Sequence, residues 1–226
     1  MTSLEPITVT PHLHEDQRAG AVALLQGYFA GLLDKGRGFE GGWWDTFDPS
    51  GTRSSSRDRF TADDVLSASL LSADIHPTAI VQILFTYADH LNAQLGGLGA
   101  DRELVSLSAA EARDLEEQNR PLWSAVRKLH DVGVTRTSKL LARKRPNLIP
   151  IYDSVIGEAV YGRSATVAQW QRMHAALTAD GGRLQEHLLS LRGDAGLSAE
   201  VSALRVFDVI AWLDGSGKAQ KILARH

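Results

Sequence analysis

Asp153 and the run of residues before it have the types and spacing best suited to chemistry in this chain. Residues 129–156 read LHDVGVTRTSKLLARKRPNLIPIYDSVI. A carboxylate held just before a helix, after the extended Pro150-Ile151-Tyr152, can stabilise a developing cation or deprotonate an attacking water. The same position also suits an ordinary helix N-cap, worth about 1 kcal/mol. Upstream, Gly133 lies in a short turn between two helical stretches, where the lack of a Cβ permits backbone conformations that other residues resist. The amides of Gly133, Val134 and Thr135 then open a helix, and free amides there bind phosphate whatever the base sequence. Thr135 adds a hydroxyl, and Arg136, Lys139 and Arg143 add cations one and two turns on. Three readings stay open on these residues: hydrolysis at Asp153, DNA binding with Asp153 as a cap, or a helical interaction protein whose basic run faces solvent.

Charge distribution favours the first two. Residues 121–150 carry seven basic residues against Asp131 alone, a local charge of +6 in a chain of net −3. A concentrated basic segment on an acidic protein marks a local polyanion site. A solvated helix face is the structural alternative. Composition excludes other classes. The absence of cysteine rules out disulfides, thiolate metal sites, iron–sulfur clusters and a cysteine nucleophile. The eight histidines lack paired ligand spacing, so neither a metal site nor a cofactor is expected. No apolar run approaches the roughly 20 residues of a membrane span. The N-terminus lacks the basic and apolar regions of a signal peptide, so a cytoplasmic location is the expectation.

Aromatic residues supply candidates for holding a planar ligand. Trp43, Trp44 and Asp45 follow a glycine pair in the loop at 36–60, and Tyr152 adjoins Asp153. Trp44 could stack on a planar ring while Asp45 accepts a hydrogen bond from its edge. Burial of the tryptophans beneath the loop is the alternative, since tryptophan is highly buried on average.

The elements positioning these residues follow a helical period, and the predicted class is all-α. Val22, Leu25, Phe29, Leu32 and Leu33 mark one face of a helix ending near Gly36. Thr61 caps a second helix, and Pro77 opens a long third one carrying Ile80, Ile83, Leu84, Tyr87 and Leu91. Ser108-Ala-Ala-Glu111 is a capping box, with a further short helix opening at Pro121. Helices follow at 135–143, 154–161, 166–179 and 183–191, and Ser198 caps the last. A central helical lobe then covers about 61–162, and a second lobe gathers 1–60 and 163–226.

The segment LHDVGVTRT followed by YDSVI resembles the helix-hairpin-helix DNA glycosylases of the endonuclease III type. Their hairpin commonly reads like LPGVGRKTA, with a catalytic aspartate in a VDTHV-like segment, and the two patterns align without a gap from Leu129 to Asp153. Asp131 stands where the family has its first hairpin glycine, and Thr137 where it has a small alanine. The resemblance implies two helical layers or subdomains flanking a cleft, with the hairpin at 129–143 and the catalytic segment at 150–156. It implies Asp153 as the catalytic carboxylate and Gly133, Val134, Thr135, Arg136, Lys139 and Arg143 as phosphate contacts. The base pocket would draw on Trp43, Trp44, Asp45 and Tyr152. Bifunctional members carry a lysine where this chain has Thr135, so the resemblance implies a monofunctional, hydrolytic glycosylase leaving an abasic site. Its partner would be double-stranded DNA with a flipped modified base, in repair or in defence against base-modified foreign DNA, with no protein partner required.

Overall fold

Eleven α-helices, joined by shorter helical turns, make up the computed structural model, which describes residues 4–162 and 168–224. No strand occurs among the described residues, and the chain is all-α. Helix α1 (Arg18–Tyr28) ends earlier than the apolar face suggests, and Leu32 and Leu33 pack onto the core from the turns beyond it. Helix α2 (Ala62–Leu70) starts at Thr61, whose side chain accepts the Asp64 N–H while Asp64 accepts the Thr61 N–H at 2.9 Å. The long third helix divides into α3 (Pro77–Val81), a π-helical turn over Gln82–Thr86, and α4 (Ala88–Gly97). The extra residue per turn in a π segment rotates the apolar face, which leaves Phe85 and Tyr87 exposed while Ile83 and Leu91 stay buried.

Helix α5 (Ala109–Arg127) has the expected capping box, Ser108 with Glu111. Pro121 opens no new helix but lies inside this one. The buried positions Ala112, Leu115, Asn119, Leu122 and Val126 keep the helical period straight through it, so packing outweighs the lost hydrogen bond. Helix α6 (Gly133–Lys144) follows, then α7 (Ser154–Ile156), which passes into a π-helical stretch at Gly157–Tyr161. Helix α8 (Gln169–Thr178) occupies most of the predicted 166–179, positions 166 and 167 lying outside the described residues. Helices α9 (Arg183–Asp194), α10 (Ala203–Gly215) and α11 (Ala219–Leu223) complete the chain. Ser202, not Ser198, caps α10, because its Oγ accepts the Arg205 N–H at 3.1 Å.

Two groups of helices emerge from the packing. In one, α5 packs on α4 and α6, and α6 on α2; in the other, α1 packs on α9, α10 and α11. Helix α8 joins them by touching both α5 and α9, as does α10 against α7. One apolar cluster runs through both groups. In α10 the side chains of Val206, Val209, Ile210 and Leu213 are essentially sealed from solvent, each contributing about 1.5–3 kcal/mol. None of the described helices is long and apolar enough to cross a membrane.

Candidate active site

The turn between α5 and α6 forms the hairpin, and its geometry explains its residues. Gly133 has φ +62°, and Asp131 has φ +55°. Asp131 occupies this left-handed region because aspartate tolerates it better than most residues. The Asp131 carboxylate turns toward Arg136, 3.5 Å away, and Arg136 also donates to the Asp131 carbonyl at 2.7 Å and the Asp74 carbonyl at 2.6 Å. The acid in the hairpin is thus drawn to a neighbouring cation. The His130 N–H is held by Gln82 Oε1 at 3.0 Å, which anchors the turn to the π-helical segment. The N–H groups of Gly133, Val134 and Thr135 have no acceptor among the described residues, as the first turn of a helix leaves them.

Helix α6 also fixes the carboxylate segment. Ser138 Oγ accepts the Tyr152 N–H at 2.6 Å, which holds residues 150–152 extended along the helix. Asp153 then caps α7, its Oδ1 accepting the Ile156 N–H at 2.9 Å. Its Oδ2 lies 3.7 Å from Lys139 Nζ, one turn along α6 from Thr135. Lys139 donates to the Leu71 carbonyl at 2.8 Å. Burial pulls the Lys139 pKa down, and the Asp153 charge opposes this.

Thr135, Lys139 and Asp153 line one side of a cleft of about 510 Å³. Phe39, Asp208 and Trp212 line it as well, from the loop after α1 and from α10, so both helical groups contribute walls. Phe39 stacks on Tyr28 with ring centroids 5.1 Å apart, and Lys218 Nζ lies 4.0 Å from the Trp212 ring. Arg205 organises the buried side: it ion-pairs with Asp208 and with Asp45 at 3.2 Å, and donates to Tyr28 Oη at 3.0 Å and the Gly41 carbonyl at 2.9 Å. A Cβ on Gly41 would come within 2.1 Å of Tyr28 Oη, so only glycine fits there. Burial pushes Asp208 up to about 6; Arg205 works against this, and the Asp153 charge adds to it. A larger cleft of about 820 Å³ lies between the N-terminal segment and α8–α9, with mostly apolar walls and an Arg183–Glu15 pair among its lining residues. It contains none of the hairpin residues and not Asp153.

Several expected site residues lie elsewhere. Trp44 is 1% exposed, between the guanidinium groups of Arg143 and Arg205 at 5.7 and 5.3 Å, so it cannot stack on a base. Asp45 is fully buried on Arg205 and cannot reach an exocyclic amine. Trp43 is exposed but lies outside the cleft lining. Tyr152 packs over Gly157 and lies outside the cleft lining. The basic run is corrected too. Arg143 is buried and donates to the Trp44, Asp45 and Phe47 carbonyls, so it braces the loop and is closed to DNA phosphate. Lys139 faces the cleft instead of a backbone track, Lys144 pairs with Asp64 at 2.8 Å, and Arg145 is buried among carbonyls and Asp58. Arg127 and Lys128 remain exposed and Arg136 half-exposed.

Sequence reasoning missed Phe39, Arg205, Asp208 and Trp212. A signal existed for two of them: Arg205 and Asp208 interrupt the apolar run of α10 at i,i+3 spacing, and charges inside a buried face are rarely idle. No group of three or more histidines or carboxylates suited to a metal ion occurs among the described residues.

The model of a family of unknown function, DUF6308, matches residues 21–215, and the chain belongs to that family. The match runs from α1 to the end of α10 and so includes the hairpin, Asp153 and both walls of the cleft. No curated protein and no solved structure matches the chain.

Proposed function

We propose that the protein is a monofunctional DNA glycosylase of the helix-hairpin-helix type, hydrolysing the N-glycosidic bond of a damaged or modified base and leaving an abasic site. One observation carries this reading: Asp153 and Thr135, from the first turn of the hairpin's second helix, line the same cleft. A phosphate held on the free amides of residues 133–135 brings the adjoining sugar toward the cleft mouth. The flipped base then enters the cleft beside Phe39 and Trp212, which pack edge to face with ring centroids 5.9 Å apart. As the bond breaks, the sugar acquires oxocarbenium character, and the Asp153 carboxylate stabilises that charge more as it grows. The Ile156 N–H and the Lys139 ammonium hold the carboxylate in place. Water adds to the sugar, its proton passing to Asp153.

A second reading, a hairpin module that binds DNA without catalysis, is favoured by the hydrogen bond that makes Asp153 an N-cap. Incubation with a panel of duplexes carrying modified bases, followed by alkali to cut abasic sites, separates the two. Excision of one or more bases supports the glycosylase. Tight, salt-dependent binding with no abasic product across the panel supports the binding module.

A further inference from the structure

We propose that Asp208 is the acid that hands a proton to the departing base, on the far side of the scissile bond from Asp153. This rests on the glycosylase reading and adds a second catalytic residue, on α10, to the same cleft.

Two carboxylates share the cleft in unlike settings. Asp153 accepts a backbone N–H and faces an ammonium. Asp208 is buried, with Oδ2 on Arg205, a cation it shares with Asp45, Tyr28 and the Gly41 carbonyl. Its Oδ1 takes no hydrogen bond among the described residues and is not among the sealed polar atoms, so it stays open to the cleft. The charged and titratable groups acting on or near Asp208 are Arg205 on its own helix, Lys139 on α6, Asp153 before α7, Tyr28 on α1 and Tyr161 beyond α7. The balance leaves its pKa at about 6, within working range for a general acid. A buried carboxyl with one oxygen open to a cleft, holding its proton close to neutral pH, is suited to general-acid work.

The step balances. The C1′–N bond breaks and its electron pair goes to the base nitrogen, which takes the Asp208 proton. Water bonds to C1′ and gives its proton to Asp153. Net, one water is consumed and a free base and an abasic sugar are formed; exchange with solvent restores both carboxyls.

The test compares bases that need a proton with one that does not. Single-turnover excision is measured on duplexes carrying 1,N6-ethenoadenine, hypoxanthine or uracil, all neutral, and on one carrying cationic 7-methylguanine. Asp208→Asn, which can still accept from Arg205, is expected to lose a hundredfold or more on a neutral base and less than about threefold on the cationic one. In the native protein, excision of the neutral base should fall about tenfold per pH unit well above the Asp208 pKa, with no such limb for 7-methylguanine. Equal losses on both kinds of base overturn the inference and leave the glycosylase standing. So does a native profile on the neutral base that is flat from pH 6 to 9, a result independent of whether the variant folds. Excision of 7-methylguanine alone by the native protein also overturns it. If the native protein excises none of these bases, nor any in the wider panel, the glycosylase reading fails and the inference falls with it.

Discussion

Arg143 shows how far a residue's role depends on its partners. Its spacing from Lys139 places both on one face of α6, and sequence alone counts that face as a track for phosphate. In the fold the Arg143 guanidinium donates to three carbonyls of the loop at Trp44, Asp45 and Phe47. Burial lowers its pKa to about 10, with nearby Arg53 adding to the effect, and it stays charged at neutral pH. Arg143→Met strands the Trp44 and Phe47 carbonyls, each costing about 1–3 kcal/mol when unpaired, while the Asp45 carbonyl keeps its bond from Arg53. A melting-temperature loss equivalent to at least about 2 kcal/mol is expected, with no change in the salt slope of DNA binding for the protein that remains folded. A normal melting curve with a flattened slope would return Arg143 to the phosphate contacts. Lys139 calls for a separate test, since its amine stands in the cleft. With Thr135 in the place of the resemblance's lysine, borohydride reduction during turnover should trap no enzyme–DNA adduct. A high yield of adduct, lost in Lys139→Met, would instead assign Schiff-base chemistry to Lys139. Type and spacing singled out Asp153, Gly133 and Thr135, and the fold sets Asp153 and Thr135 on one cleft. The base pocket was not, because a tryptophan pair in a loop reads the same in sequence whether it faces a ligand or the core.

At the scale of elements, the helical class and the hairpin were legible, while several boundaries were not. The hairpin helix begins at Gly133, two residues before the expected start. The N-cap at Thr61 and the capping box at Ser108 are local signals and stand as read. Pro121 and Ser198 misled because tertiary packing decided both. The buried face of α5 continues through the proline, and the Ser202 hydroxyl both caps α10 and donates to the Pro146 carbonyl at 2.8 Å. The π-helical turns are products of packing and have no period of their own in the sequence. The hairpin itself yields a prediction. A Cβ at Gly133 meets nothing within 4 Å, so Gly133→Ala pays only for its φ of +62°, about 1–2 kcal/mol. The amides that follow should tilt away, and duplex affinity should drop while the fold persists. Replacing exposed Arg127 and Lys128 by alanine should leave stability unchanged and flatten log K against log salt by about 1–2 units. An unchanged slope in that double variant would show that DNA does not approach along the hairpin.

Across the whole molecule, the site is a product of two helical groups brought face to face. One supplies the hairpin amides, Lys139 and Asp153; the other supplies the edge-to-face Phe39–Trp212 pair and the Arg205–Asp208 pair. Neither group alone encloses the cleft, which is why a sequence motif from one of them points to a carboxylate and not to its surroundings. The net charge of −3 gives little general attraction for DNA, so in the proposed function binding rests on the few groups at the hairpin. The claim that joins these parts is that Asp153 acts by its charge. Asp153→Asn keeps the shape and the cap, since asparagine accepts the Ile156 N–H about as well as aspartate does. Single-turnover excision of a base found in the panel, measured beside duplex affinity and a melting curve, tests it most directly. The expected result is a rate lower by two or more orders of magnitude, about 3 kcal/mol or more of lost transition-state stabilisation, with affinity similar or higher and melting unchanged. Near-normal excision by the folded variant would contradict the account and leave Asp153 a structural cap.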